Sequence, residues 1–439
     1  MVLITILVTV VSIVLLAQAL WSIYLTLYSW EHPSRLEASR GPREFLDPRL
    51  CFTVLLPARH EEAVIGETIR RICAANYPPG QVETIVVCHS ADTATVAEAR
   101  RAIDALGGRD VRVEEFTDGP INKARSLNIG FRRSSNQVVT VFDAEDDIHP
   151  DMFNIVNTIM QQEEVGVVQG GVQLMNARDH WFSIHNCLEY FFWFKSNLHL
   201  HAHLGMIPLG GNTVFVRRDL LERVGGWSED CLTEDADLGL RLSALGERIR
   251  VVYDARHVTR EETPHSTVSF VRQRTRWHQG FLQILRRRVW KLLPSRGQRA
   301  LAVYTFSRPI FERLLTIWMP LTCAQLLWLR LPLPLAILST LPMYAFVFQF
   351  LITAAGAGLF SLEYDLRLSM LVVGRMALTY FPFQSLLGVS AARALSREIR
   401  GIGHWEKTDH AGAHRVHPRQ LAITHAHEDA IRTLEVSGR

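Results

Sequence analysis

Residues 232–239, Leu-Thr-Glu-Asp-Ala-Asp-Leu-Gly, put acids at the opening of a helical pattern that continues through Leu240, Leu242 and Leu245. A carboxylate at a helix start faces free backbone N–H groups and the positive end of the dipole, which keep it ionised. Held there, Asp235 is able to accept a proton, with Glu234 beside it. The same letters also make an ordinary capping box, so the rest of the chain decides between the two readings. A second acidic cluster, Asp143-Ala144-Glu145-Asp146-Asp147, closes the apolar run VVTVF. Carboxylates this close repel one another unless a cation sits between them, and hard oxygen donors suit Mg²⁺ or Mn²⁺, which usually also take substrate phosphates. Lys123 opens a helical pattern just upstream and adds a positive charge for phosphate. In Val271–Gly280, VRQRTRWHQG, a helix puts Gln273, Arg276, Trp277 and Gly280 on one face. Guanidinium forks suit a diphosphate and a tryptophan ring suits a sugar.

The elements that must position these residues are legible from Phe52 onward. FTVLLP, ETIVVC, VRVEEF and QVVTVFD alternate with amphipathic stretches at 61–75, 93–106 and 122–132. Such repetition predicts a mostly parallel sheet covered by helices, with ligands bound at the carboxyl ends of the strands. Each strand ends in polar residues: Pro57-Ala58-Arg59-His60-Glu61-Glu62, Cys88-His89-Ser90-Ala91-Asp92, and the 143–147 acids. No GxGxxG or Walker lysine motif accompanies them, which argues against dinucleotide and P-loop chemistry. The aromatic run Tyr190–Phe194 is read as core or as a face on the bilayer. Alternating His199, His201 and His203 would share one strand face. Arg286-Arg287-Arg288 are expected to rest on anionic lipid.

At 439 residues with 48% hydrophobic composition, the chain is expected to join a soluble domain to membrane segments. A net charge of +3 gives no reason to expect nucleic acid, and six cysteines without CxxC spacing fit packed thiols in a reducing cytosol. Residues 2–29 carry no charge and are long enough to cross a hydrocarbon core of about 30 Å, which favours an anchor over a cleaved signal. Arg35, Arg40 and Arg43 follow on the cytoplasmic side by the positive-inside rule. Residues 312–330 and 333–356 are expected to span, and 366–392, interrupted by Arg375 and Pro382, to be re-entrant or interfacial. The expected organisation is an anchor at 1–30, a basic linker at 31–50, a cytosolic domain at 51–290, membrane and interfacial helices at 291–392, and a basic, His-rich cytosolic tail at 393–439.

Taken in order, Lys123 with Leu127-Asn128, the acids at 143–147, Gly210-Gly211-Asn212, Thr233-Glu234-Asp235 and Gln273-Arg274-Thr275-Arg276-Trp277 resemble the motifs of the membrane-integrated family 2 glycosyltransferases. That group contains cellulose, hyaluronan and glucomannan synthases. The resemblance implies an α/β cytosolic domain of GT-A type, Rossmann-like, embedded between transmembrane helices. It further implies a UDP- or GDP-linked sugar donor, Mg²⁺ or Mn²⁺, inversion at the anomeric carbon and a passage for a growing glycan. By position, Asp143 and Glu145 stand at the metal motif and Asp235, seconded by Glu234, at the general base. Pro57, Arg59, Glu61, Asp92, Lys123, Asp143, Gln273, Arg274 and Arg276 stand on the donor side; Gly211, Asn212, Thr233 and Trp277 stand on the acceptor side. The sequence departs from the pattern at Cys88-His89, where the family carries acids that hold the nucleotide, leaving Asp92 as the nearest one. Only three spanning helices are expected, so a homo-oligomer, an export partner or a short product is implied. The competing expectations are a single-addition transferase acting on polyprenyl phosphate or a glycolipid, and a sugar-nucleotide-binding subunit without activity.

Overall fold

The computed structural model describes residues 2–328, 332–366, 369–404, 406 and 415. The chain enters through helices α1 (Val2–Leu27) and α2 (Pro33–Ala38), then alternates β1 (Phe52–Ala58), α3 (Ile65–Cys73), β2 (Val82–His89), α4 (Thr93–Leu106), β3 (Val111–Phe116), α5 (Lys123–Arg133), β4 (Val138–Val141), α6 (Met152–Glu163) and β5 (Val167–Gly170). Next come β6 (Val172–Leu174), α7 (Ser183–Phe192), a π-helical turn at Trp193–Asn197, α8 (Leu198–His203), β7 (Val214–Arg217), α9 (Arg218–Val224), α10 (Glu234–Ala244), β8 (Ile249–Val252) and β9 (Thr259–Glu261). The long helices α11 (Thr267–Arg287), α12 (Arg296–Trp328), α13 (Leu333–Glu363) and α14 (Met370–Ile399) close the described chain.

Seven strands make one sheet in the order β3-β2-β1-β4-β7-β5-β8, and β6 pairs with β9 beside it. All neighbours in the large sheet run parallel except β7, which is antiparallel to both β4 and β5. The near-continuous apolar run of β1 reflects burial on both faces. Val54 and Leu56 pack towards Ile65, Ile69 and Phe153, while Leu55 packs on the other face with Val87, Leu127 and Val141. This order brings the ends of β1 and β4 and the start of β7 together with the start of α10.

Two glycines let α10 approach its neighbours. A Cβ on Gly239 would lie 2.4 Å from the Ile207 carbonyl and 2.7 Å from the Leu209 nitrogen. One on Gly280, in α11, would lie 2.4 Å from Thr233 Oγ1 and 2.8 Å from its nitrogen. Gln283 adds a bond from α11, accepting from Leu232 N at 3.0 Å. The start of α10 is thus packed against α11 and its middle against the chain leading into β7.

Several expectations change on folding. His199, His201 and His203 lie at or near α8, a helix, where alternate residues point apart; His201 bonds the Asn197 carbonyl and Thr305. Burial holds His199 down to about 3 and His201 to about 4, so both stay neutral. Phe191, Phe192 and Phe194 are buried, as a core reading requires. Arg286 and Arg287 face Glu398 and Asp230 at 2.9 and 2.8 Å, so acids of this chain already partner them. Among the described residues two helices are long and apolar enough to cross a membrane, over Ile6–Trp30 and Leu333–Glu363. The 312–330 stretch lies in the later part of α12, with Glu312 facing His278 at 2.9 Å and Arg308 at 3.0 Å; residues 329 and 330 lie outside the described set. The 366–392 stretch falls mostly in α14, which packs along α11 and α12. Of the tail at 393–439, the histidines at 410, 414, 417, 425 and 427 and Lys407 lie outside the described residues.

The helix bundle is joined to the sheet by buried polar contacts. Lys195 of the π-helical turn pairs with Glu363 at the end of α13, and the Tyr253 and Tyr364 hydroxyls meet at 2.7 Å. Because the Gly239 contacts are with backbone that has no rotamer to yield, Gly239→Ala is expected to cost about 1–3 kcal/mol. Thermal unfolding will read this as a clear fall in Tm, and an unchanged Tm contradicts the close packing.

Candidate active site

One cavity collects almost every residue singled out from the sequence. Pro57, Arg59 and Glu61 line it from the end of β1, and Lys123, Asp143 and Glu145 from α5 and the turn after β4. Gly211, Asn212, Thr233, Glu234 and Asp235 line it from the β7 approach and α10, and Gln273, Arg274, Arg276 and Trp277 from α11. Asp92 does not. It caps α4, accepting from Thr95 N, and also accepts from His60 N at 2.6 Å. His60 has φ of 55°, a strained left-handed turn for a non-glycine residue, so Asp92 stabilises the 59–61 turn from beneath.

The acids after β4 divide by direction. Asp146 is fully buried, accepting from Asp143 N at 2.8 Å and from the Asn212 amide at 2.8 and 2.9 Å. Asp147 turns away to Arg71. Asp143 and Glu145 remain on the cavity wall. Asn212, expected on the acceptor side, spends its amide on Asp146 and Glu261 and so holds the turn in shape. Glu261, at the end of β9, was not singled out by sequence. Its acidic pair with Glu262 follows a run too short to read as a strand. Burial first, then Glu145 and Asp143, push the Glu261 carboxyl up to about 8.

Lys123 sits where α5 begins, its helix start capped by the Asn122 side chain bonding Arg125 N at 2.9 Å. Its ammonium pairs with Asp143 and donates to the Gly211 carbonyl at 2.9 Å. Burial opposes its charge, but Asp143 and then Glu234 outweigh that and raise its pKa. The third acid of the 234–237 step is neutralised locally: Asp237 accepts from Ser228 Oγ at 2.6 Å and Arg241 at 2.8 Å. That leaves Glu234 and Asp235 for the cavity. Burial and then the Asp235 charge push Glu234 up to about 7. Asp235 is also raised by burial, though the Ala236 N–H at 2.8 Å, Lys123 and Arg276 restrain it. A Cβ built on Gly211 would lie 3.1 Å from Asp235 Oδ2 and 3.4 Å from Lys123 Nζ. Glycine here lets a carboxylate and an ammonium both approach the chain closely.

Arg274 turns toward α7, donating to Asn186 and Glu189, with its guanidinium 4.6 Å from the Trp277 ring centroid. It fixes the tryptophan by a cation–π contact. Arg276 lies on the side of Glu234 and Asp235, whose pKa values it lowers. Two oxygen-donor side chains, Asp143 and Glu145, fit an ion of the Mg²⁺ class, which is held by one or two carboxylates with the remaining positions left to water and phosphate. Among the described residues no group of three or more His, Cys, Asp or Glu side chains is placed to hold a metal ion.

The cavity continues between the helices. Gln18, Ser22 and Thr26 of α1, Thr305 of α12, and Gln349 and Thr353 of α13 line this part.

Comparison with known proteins follows from this geometry. The family described as glycosyltransferase like family 2 matches residues 48–280. Beta-monoglucosyldiacylglycerol synthase of Trichormus variabilis is 29% identical over 238 residues, 53% of this chain and 49% of that protein. Poly-beta-1,6-N-acetyl-D-glucosamine synthase of Staphylococcus epidermidis is 25% identical over 274 residues, 60% of this chain and 61% of that protein. The chain thus spans about half to three-fifths of the length of these relatives. The mannosyltransferase PcManGT of Pyrobaculum calidifontis, solved with GDP-Man and Mn²⁺, shares the fold at a TM-score of 0.60 and 19% identity, over 88% of this chain and 99% of that one. The sheet is of the GT-A, Rossmann-like type expected from the sequence. With the matched region covering more than half of its length, the chain belongs to the family 2-like glycosyltransferases.

Proposed function

We propose that the protein is an inverting, metal-dependent glycosyltransferase that moves a sugar from a UDP- or GDP-linked donor to a growing glycan at the membrane. The observation that carries this reading is the approach of both Asp235 Oδ2 and Lys123 Nζ to Gly211, with Asp143 paired to the ammonium. In-line displacement needs a base behind the attacking hydroxyl and positive charge at the departing diphosphate. Asp235, anchored by the Ala236 N–H, serves as the base, with Glu234 beside it. Lys123, Arg276 and Gln273 face the diphosphate, and Pro57, Arg59 and Glu61 border the nucleotide. Trp277, steadied by Arg274, supports the acceptor ring, and Thr233 and Gly211 shape its approach. Asp143 and Glu145 would hold Mg²⁺ or Mn²⁺, which supplies charge neutralisation for the leaving diphosphate.

The two apolar helices and the linker at 31–50 support an integral membrane protein with this domain on the cytosolic side. The continuation of the cavity among α1, α12 and α13 supports a product that leaves between the helices, alone, as a homo-oligomer or with an export partner. A second reading, transfer of one sugar to a lipid acceptor, is favoured by the likeness to a beta-monoglucosyldiacylglycerol synthase. The deciding experiment follows nucleotide release by the detergent-purified protein over UDP- and GDP-sugars with Mg²⁺ or Mn²⁺, and sizes the product. A long product supports the polymerising reading, a lipid-linked product of one addition supports the second, and no turnover with any donor and acceptor contradicts both.

Asp235→Asn is expected to lower kcat by about 10²–10⁴-fold, the range a general base contributes, with donor affinity kept within a few fold by isothermal titration. Retained turnover would remove Asp235 from the base role. Since the base must be ionised, kcat/KM should rise with pH. The midpoint is expected above the ordinary carboxylate range, because burial raises Asp235 while the Ala236 N–H, Lys123 and Arg276 restrain it. Lys123→Met should move this limb to higher pH, and a limb that does not move contradicts the coupling.

A further inference from the structure

Residues 263–311 carry ten arginines and lysines and no aspartate or glutamate. Acids from elsewhere in the fold meet part of this charge. Arg274 and Arg308 share Glu189, while Arg286 faces Glu398 and Arg287 faces Asp230. The elbow between α11 and α12 is left over. Arg288, Lys291, Arg296 and Arg299 are exposed there, and among the described residues no acid lies within ion-pair distance of any of them.

Leu293 fixes the elbow in place, fully buried with Ala236 and Leu240 of α10 and Ile284 of α11. Its neighbour Leu292 points outward and is 64% exposed. Trp290 is half-buried, with the Lys291 ammonium 5.8 Å from its ring centroid. The elbow therefore presents cations, a leucine and the edge of a tryptophan side by side.

Its depth follows from how α12 runs beside α1. Val8 and Leu15 cluster with Trp318, whereas Trp21 meets Tyr304 edge-on at 6.1 Å, so the two helices are antiparallel. The apolar span of α1 ends at Trp30, nine residues beyond Trp21, and Arg296 lies eight residues before Tyr304. At ~1.5 Å per residue these are about 13 and 12 Å. Arg296 and the elbow thus lie level with the end of the span, where lipid head groups begin. An apolar tip among cations matches a head-group layer with acyl chains beneath it, and each cation near an anionic surface adds about fivefold to association.

We infer that Arg288, Lys291, Arg296 and Arg299, with Trp290 and Leu292, form a docking surface for anionic phospholipid on the cytosolic face of the bilayer. The role expected of the 286–288 run passes to cations further along the elbow, because Arg286 and Arg287 have acids of this chain beside them. The inference rests on the membrane reading above and is independent of the transfer chemistry.

The test is native mass spectrometry of the full chain released from detergent, with phosphatidylglycerol and phosphatidylcholine of identical acyl chains competing at equal concentration. Phosphatidylglycerol is expected among the first lipids retained by about tenfold or more. Arg288→Gln, Lys291→Gln and Arg296→Gln together should bring this preference below about threefold. Arg299 is kept, because its Nε donates to the Leu293 carbonyl at 2.7 Å and holds the elbow. The same loss of charge beside β3, through Arg109→Gln, Arg132→Gln and Arg133→Gln, should leave the preference within about twofold; β3 is the sheet edge opposite β8. Unchanged melting temperatures in detergent check that both triple variants are folded. On the unaltered chain, raising ammonium acetate from about 0.02 M to about 0.5 M should erode the preference, since salt screens exposed charges. Equal retention of the two lipids, a preference that survives the elbow substitutions or falls equally with the β3 ones, or a preference indifferent to salt overturns the surface. A chain that stays monodisperse in buffer without detergent overturns it together with the membrane reading.

Discussion

The cavity crowds Asp143, Glu145, Glu234, Asp235 and Glu261 around one buried ammonium, and its design follows from that imbalance. Burying a charge is tolerable only where an opposite charge or several hydrogen bonds replace water. Lys123 meets that need for the turn after β4, for the start of α10 and for the Gly211 carbonyl together. Carboxyls it does not fully balance are pushed upward, as Glu234 and Glu261 are. Surplus buried negative charge of this kind makes the cavity favourable to positively charged groups.

Rigidity around this charge cluster comes from close backbone approach and from polar groups that face inward. Gly239 and Gly280 bring α10 against the chain leading into β7 and against α11. Asp146, Asn212, Asp237 and Asp92 bind their own neighbours rather than the cavity. Each removes a degree of freedom from a residue that does face it. Asp235 and Glu145 are thereby presented on short, fixed connections.

Most of the fold was legible because β1, β2, β4 and the helices between them carry strong apolar periods, and the acids at 143–145 and 234–235 sit at element ends that sequence marks well. Lys123, Asp143, Glu145, Asp235 and Trp277 reach one cavity as their spacing implied. What was not legible depends on side-chain direction. Asp92 and Asn212 carry the right chemistry yet bond beneath the wall, and no local pattern distinguishes an inward acid from an outward one. Glu261 was missed because β9 is three residues long and owes its existence to β6. The histidines at 199, 201 and 203 alternate like a strand, but tertiary packing draws them into α8 and buries two of them neutral.

The pairing of Lys195 with Glu363 has a consequence for biosynthesis. The two residues are 168 positions apart, so nearly all of the sheet leaves the ribosome before α13 exists. Until then the π-helical turn carries a lysine whose burial lacks its ion-pair partner, with only the smaller influence of Asp254 to offset it, and leaving it in water is cheaper than closing the turn. Final closure of the cavity wall at Trp193–Asn197 therefore waits for the arrival and docking of α13. The nascent chain acquires its finished site only after its late helices are seated.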